Sequence, residues 1–131
     1  MRAIVLLEAL VDEQLPDVVR PLVDREYSHF LGRDTPLEIC RLRLDPALAP
    51  VVCFALSRSL KPAGYFAHLV GDAEMYVVFP GIVVTIRRGD TASLARAREV
   101  GAMFGIPRRH MRFDEMFELD HPEMHSECSD E

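Results

Sequence analysis

The apolar residues of this chain are most concentrated between residues 65 and 104, as three short runs followed by one longer stretch. The short runs are 65–70, 75–79 and 82–88, and the turn-forming pairs Gly71-Asp72 and Pro80-Gly81 separate them. Runs of aromatic and β-branched residues bounded by such pairs are typical of strands that follow one another. The middle run is apolar on both faces of its pleat, which indicates a strand covered on both sides. We therefore predict a three-stranded antiparallel meander.

A helix is predicted directly after the meander. Asp90 or Thr91 suits its N-cap, because a short polar side chain accepts hydrogen bonds from the free backbone N–H groups there. Apolar residues at spacings of three and four then define one core-facing stripe: Leu94, Ala97, Gly101 and Phe104. Gly105 suits the left-handed position after a helix, and Pro107 prevents its continuation.

The first third of the chain predicts a strand, a helix and a second strand. Residues 2–11 carry one wholly apolar face at alternate positions, as a strand does. Pro21 suits the first turn of a helix, so we predict a helix from Pro21 to about Leu31, ended by Gly32. Residues 37–45 alternate between apolar and charged side chains, which predicts a half-exposed strand.

Residues 51–56 form an apolar run that is consistent with a buried strand or with a short helix. Periodicity alone does not separate the two for so short a run. Pro50 opposes a helix that runs straight in from residue 46, so a strand is the preferred prediction.

These elements predict an α+β fold, with a mainly antiparallel sheet and two helices packed on one face. The nearest simple plan is ferredoxin-like with an added hairpin. Residues 1–119 are expected to form a single domain, and residues 120–131 an acidic, disordered tail. Two helices on one face leave the other face of the meander uncovered, and we expect a homodimer to bury it.

Charge and motifs narrow the classes of function. The 131 residues carry a net charge of −6, and residues 114–131 hold eight acidic residues and no Lys or Arg. The chain lacks the broad basic field of nucleic-acid-binding proteins and any apolar stretch of about 18 residues, so we expect neither nucleic acid nor a membrane as partner. Dinucleotide and phosphate-loop motifs are absent, so we expect no cofactor. The three cysteines are odd in number and no signal sequence is evident, so the cytoplasm is the expected compartment.

His68 is the first candidate for chemistry. It falls in the middle of the meander among apolar neighbours, where a histidine is usually a hydrogen-bonded core residue. Its alternative role is that of a general base in a pocket, and Tyr65, Tyr76 and His29 are the residues expected to line such a pocket with it.

A second candidate is an anion site at the start of the predicted second helix. Arg87 and Arg88 end the preceding strand, and the free N–H groups after Thr91 attract negative charge. The carboxylate of Asp90 opposes this site, because it competes with an anion for the same N–H groups.

A third candidate is a metal site in the tail, formed by His121, His125 and Cys128. Two histidines four residues apart share one face of a helix, and a thiolate is a soft ligand. Pro122 and the acidic surroundings favour a solvated tail instead.

Two functions follow from this pattern. The preferred one is a small binding or accessory module without chemistry of its own, acting as a homodimer on a small-molecule ligand. The alternative is a small enzyme that acts on an anionic or aromatic molecule with His68 as general base. A cavity with converging polar groups distinguishes the second from a plain accessory module.

Overall fold

The computed structural model of the chain describes residues 1–31 and 35–120. In this part of the chain six strands form one sheet in the order β2-β3-β1-β4-β5-β6, and every neighbouring pair is antiparallel. The strands are β1 (Arg2–Leu6), β2 (Val23–Leu31), β3 (Thr35–Arg43), β4 (Ala67–Val70), β5 (Glu74–Phe79) and β6 (Ile82–Arg87). The helices are α1 (Ala49–Ser59) and α2 (Thr91–Met103). The predicted α+β class, the antiparallel sheet and the β4-β5-β6 meander are confirmed.

The connections include one split β-α-β unit. Strand β1 lies between β3 and β4 and is antiparallel to both, so β3 and β4 run parallel and α1 joins them across β1. A ferredoxin-like plan has two such units. Between β1 and β2 the chain instead forms three short 3-10 turns, Leu7–Ala9, Val11–Glu13 and Arg20–Leu22. The ferredoxin-like plan is therefore not confirmed.

Helix α1 covers one face of the sheet, which we call the α1 face. Its buried residues Val52, Cys53 and Leu56 pack in one cluster with alternate residues of β1, β3, β4 and β5. The strand residues of this cluster are Ala3, Val5, Cys40, Leu42, Ala67, Leu69 and Val78. The segment between β1 and β2 adds Leu10, Leu15 and Val19 to the same core.

Helix α2 covers the opposite face, the α2 face. A second cluster joins Ala97 to Met75, Val77 and Phe79 of β5, which alternate with the β5 residues of the first cluster. The chain after α2 continues over this face through Ile106, Met111, Phe113, Met116 and Phe117. The predicted placement of both helices on one face is thus not confirmed, because successive residues of a strand point to opposite faces and each helix packs against a different set.

Strand β5, the middle strand of the meander, needs no second molecule to cover it. Met75, Val77 and Phe79 are 0% exposed within a single chain. The expectation that a homodimer buries this strand's open face was wrong, since α1 and α2 lie on its two sides.

The predicted helix from Pro21 to Leu31 is wrong, because this segment is the edge strand β2. Pro21 lies in a 3-10 turn, and residues 23–31 then pair with β3 along their whole length. Tyr27 pairs with Ile39 and His29 with Leu37. These cross-strand contacts, invisible in a local window, outweigh the preference of Pro21 for a helix start.

The predicted strand at residues 51–56 is also wrong, since these residues form the middle of α1. The helix begins at Ala49, so Pro50 occupies its first turn, where the missing N–H costs no hydrogen bond. The Asp45 carboxylate accepts from the Ala47 backbone N–H at 2.9 Å and caps the 3-10 turn that leads into α1.

Helix α2 matches its prediction at both ends. The Asp90 carboxylate accepts from the Ala92 N–H at 3.1 Å. At the other end Gly105 has φ +75°, the Ile106 N–H donates to the Gly101 carbonyl and the Gly105 N–H to the Ala102 carbonyl. This pair of bonds is the Schellman arrangement, which satisfies carbonyls that the helix leaves open. Neither α1 nor α2 nor any other helix of the described residues is long and apolar enough to cross a membrane.

Candidate functional site

A cleft of about 410 Å³ lies on the α2 face, between the first half of the sheet and the chain that follows α2. Helix α2 covers only the β5-β6 end of this face. The short turns of residues 106–116 lie over strands β1 and β3 and over the end of β2 that contains His29. The cleft is the space between these two layers.

The floor of the cleft is aliphatic. It consists of Ile4 and Leu6 from β1 and Leu37 and Ile39 from β3. Leu6 is paired with Ile39, and paired residues of antiparallel strands point to the same face, so these side chains form one continuous surface.

The opposite wall is formed by the 64–66 loop and by the segment after α2. It comprises Gly64, Tyr65, Phe66, Ile106, Pro107, His110 and Met116. Arginines hold the segment in place: the Arg2 guanidinium donates to the carbonyls of Met116 and Phe117 at 3.1 and 2.9 Å, and Arg98 donates to the Met111 carbonyl at 3.0 Å. The Gly64 N–H donates to the Phe104 carbonyl at 2.7 Å and ties the loop to the end of α2.

Three histidines line the cleft. His68 comes from β4, His29 from β2 and His110 from the 3-10 turn Arg108–His110. His68 is the most enclosed, at 3% exposed, and its ring centroid lies 6.1 Å from that of Phe66. Tyr65 lines the same cleft. Of the four residues considered for this pocket, the structure therefore brings His68, Tyr65 and His29 together.

Tyr76 is the predicted member that lies elsewhere. It pairs with Leu69, one position along from the His68–Val77 pair, so it points to the α1 face. Its hydroxyl donates to the Glu74 carboxylate at 3.3 Å, and burial raises the pKa of that hydroxyl above its ordinary value.

A charged cluster borders the cleft along the sheet. The Asp24 carboxylate accepts from Arg41 at 3.1 and 3.2 Å and from Arg43 at 3.3 Å, and the hydrogen bond from Arg41 lowers the pKa of Asp24. The Arg25 guanidinium lies over the Tyr27 ring, 4.7 Å from its centroid. Burial raises the pKa of the Tyr27 hydroxyl, and the Asp120 carboxylate adds to the rise. This cluster was not predicted from the sequence as part of a site.

The residues of the predicted anion site have other roles in the structure. The Arg88 guanidinium donates to the Asp72 carbonyl at 2.9 Å and to Glu118 at 2.6 Å, and lies over the Phe117 ring. Arg87 is exposed, and its backbone N–H donates to the Ser93 hydroxyl. Thr91 is the exposed first residue of α2, beside the capping carboxylate of Asp90. Two carboxylates therefore lie where the anion was expected, which disfavours such a site.

The predicted metal ligands His121, His125 and Cys128 lie outside the described residues. Within residues 1–31 and 35–120, no group of three His, Cys, Asp or Glu side chains is arranged to hold a metal ion. The free cysteines Cys40 and Cys53 are buried on the α1 face, and burial raises the pKa of each thiol to about 11. Both thiols are therefore protonated near neutral pH and are poor nucleophiles.

His110 is the cleft residue that the sequence did not indicate. It stands among Arg108, Arg109 and Arg112, and a short basic cluster followed by acidic residues usually pairs internally or faces solvent. Arg112 does pair internally, with Glu115 at 2.7 Å. Only the path of the chain after α2 turns His110 towards β4, and a local pattern carries no signal for that path.

Comparison with known proteins adds no relative: no protein family, no curated protein and no solved structure matches this chain.

Proposed function

We propose that the protein binds a small, mostly apolar molecule in the cleft. The observation that supports this function is a cavity of about 410 Å³ with four aliphatic floor residues and with three histidines and a tyrosine among its described lining residues. Sites for small molecules are usually cavities of roughly 300–1,000 Å³ with apolar linings and a few polar groups that orient the ligand.

The lining also indicates which part of the ligand lies in the cleft. Among the described residues that line it, none is Asp, Glu, Lys or Arg. A charged group buried against this lining would lose its hydration without a countercharge, at a cost of several kcal/mol. The ligand therefore places a hydrocarbon chain or an aromatic ring on the floor, and the imidazoles contact its polar atoms.

Binding of the neutral fluorescent probe N-phenylnaphthylamine tests this function. Leu37→Trp adds volume to the floor, and we expect it to weaken probe binding by about tenfold or more, since lost apolar contact costs about 25 cal/mol per Å². Val83→Trp is the matched control, because Val83 is exposed on the α1 face. Equal probe binding by both variants, with unchanged thermal unfolding, would show that the probe does not enter the cleft.

The second candidate function is that of a small enzyme with His68 as general base. The observation that favours it is that the buried His68 and Tyr65 line the same cleft, where an imidazole can act on a bound ligand. Its substrate is an aromatic molecule whose ring rests on the floor.

We also propose that the chain forms a homodimer, through a surface of α1 and β6 and not through the covered strand β5. Exposed apolar side chains of α1 and β6 lie around one groove on the α1 face, where Phe54 is 63% exposed. The exposed apolar residues that line this groove are Phe54 of α1 and Val83 of β6. A second copy buries such a surface symmetrically.

The cytoplasm is retained as the proposed compartment. Cys40 and Cys53 are free thiols, which the reducing cytoplasm maintains.

A further inference from the structure

The arginines beside the cleft lie on the same face of the sheet as its floor. Arg41 pairs with Ile4, and Tyr27 pairs with Ile39, so each is the direct cross-strand neighbour of a floor residue. Arg25 pairs with Arg41 one strand further out. The Cβ atoms of paired residues lie roughly 5 Å apart. A molecule that lies on the floor therefore needs to extend only about the width of one side chain to contact this cluster.

The cluster has more positive than negative charge. It contains Arg2, Arg25, Arg41 and Arg43, and its carboxylates are those of Asp24 and Asp120. Asp24 is shared by Arg41 and Arg43, and Asp120 pairs with Arg2 at 3.1 Å. Counted over residues 1–31 and 35–120, the cluster therefore has two positive charges in excess, in a chain whose net charge is −6.

The excess charge lies where a ligand has access. The Arg43 side chain is 78% exposed and the Arg41 side chain 28%, and the Arg25 guanidinium is oriented by its stacking on Tyr27. A guanidinium presents two parallel N–H groups to a carboxylate, and stacking on an aromatic ring fixes its plane without using those N–H groups.

We propose that the ligand of the cleft is an amphipathic carboxylate, whose apolar chain lies on the floor and whose carboxylate lies among Arg25, Arg41 and Arg43. This inference rests on the proposed binding function of the cleft. After Asp24 and Asp120 are counted, the cluster still has two positive charges in excess. The single negative charge of a carboxylate ligand is attracted to this excess. The head group stays near solvent, where its desolvation cost is small, and only hydrocarbon enters the apolar space.

A matched pair of fluorescent probes, cis-parinaric acid and its methyl ester, tests the proposal, since both enter apolar sites and only the acid carries the charge. We expect the unaltered protein to bind the acid about tenfold more tightly than the ester, because only the acid makes charge-assisted hydrogen bonds to the guanidinium groups and their partial exposure weakens these bonds. The double variant Arg25→Gln, Arg43→Gln should abolish this preference and leave ester binding unchanged. Arg96→Gln, on the exposed side of α2, is the control and should keep the preference.

Equal affinity of the unaltered protein for acid and ester, or a preference that survives the double variant, would overturn the proposal. Binding of N-phenylnaphthylamine without binding of either parinaric probe would overturn it as well, while the cleft would remain a binding site for neutral molecules. Failure of all three probes to bind would overturn the binding function itself.

Discussion

Among the histidines that line the cleft, His68 is the most deeply buried. It is 3% exposed, lies beside Phe66 and lines the cleft from the side of β4. An imidazole in this position can act as a general base on a ligand in the cleft, which is the role that the alternative function assigns to it.

The Kemp elimination of nitrobenzisoxazole, in which a base removes a C–H proton from a neutral aromatic molecule, is a direct test of that base. We expect the protein to accelerate the reaction and His68→Gln to lower the rate on the order of a hundredfold, the usual contribution of a positioned general base. Tyr76→Phe is the control, because Tyr76 lies on the α1 face and should leave the rate unchanged. Equal rates for the unaltered protein and His68→Gln would leave ligand binding as the function and exclude His68 as the base.

At the scale of the elements, the end of α2 positions one side of the cleft. The left-handed Gly105 redirects the chain, and the next two residues, Ile106 and Pro107, line the cleft. The Schellman bond from Ile106 to the Gly101 carbonyl holds this change of direction. A helix end without it would move the whole wall that carries His110.

Gly105→Ala should therefore lower the free energy of unfolding by about 1 kcal/mol, because a Cβ is disfavoured at positive φ. The space around a Cβ at this position is open, so the cost is that of the backbone alone. Gly105→Asn is the matched variant and should cost less, since Asn tolerates the left-handed region. Urea denaturation measures both, and an Ala variant as stable as the parent would contradict the assigned helix end.

At the scale of the whole molecule, each face of the sheet has a different solvent-accessible feature. The α2 face has the cleft, and the α1 face has the apolar surface around Phe54. Strand β6 is also a sheet edge, so its outer backbone groups have no neighbouring strand among the described residues. Exposed apolar side chains beside a free edge are typical of a surface that associates.

Phe54→Glu should convert the proposed dimer to a monomer, because the carboxylate would have to be buried in the interface. Met103→Glu is the control: Met103 is 79% exposed at the end of α2, away from the α1 face, and its replacement should leave the mass unchanged. Sedimentation equilibrium at several concentrations measures the mass. A monomer for the unaltered chain at high micromolar concentration would exclude the homodimer.

The sequence by itself determined the parts of this protein that depend on neighbours a few residues apart. The meander was predictable because its turn pairs and apolar runs are local, and so were the Asp90 cap and the Gly105 helix end. His68, Tyr65 and His29 were candidates for one pocket, and all three line the cleft, while their role in a site stays a prediction.

Only the tertiary structure decided the features that depend on contacts between distant segments. Residues 23–31 became a strand because β3 supplies their hydrogen-bond partners, and residues 51–56 became a helix whose buried side chains Val52, Cys53 and Leu56 pack on the sheet. The same long-range pairing set the helices on opposite faces, separated Tyr76 from His68, and brought His110 and the Arg25–Arg41 pair to the cleft. The free energy of such pairing depends on residues far apart along the chain, so no local pattern of apolar and polar positions contains it.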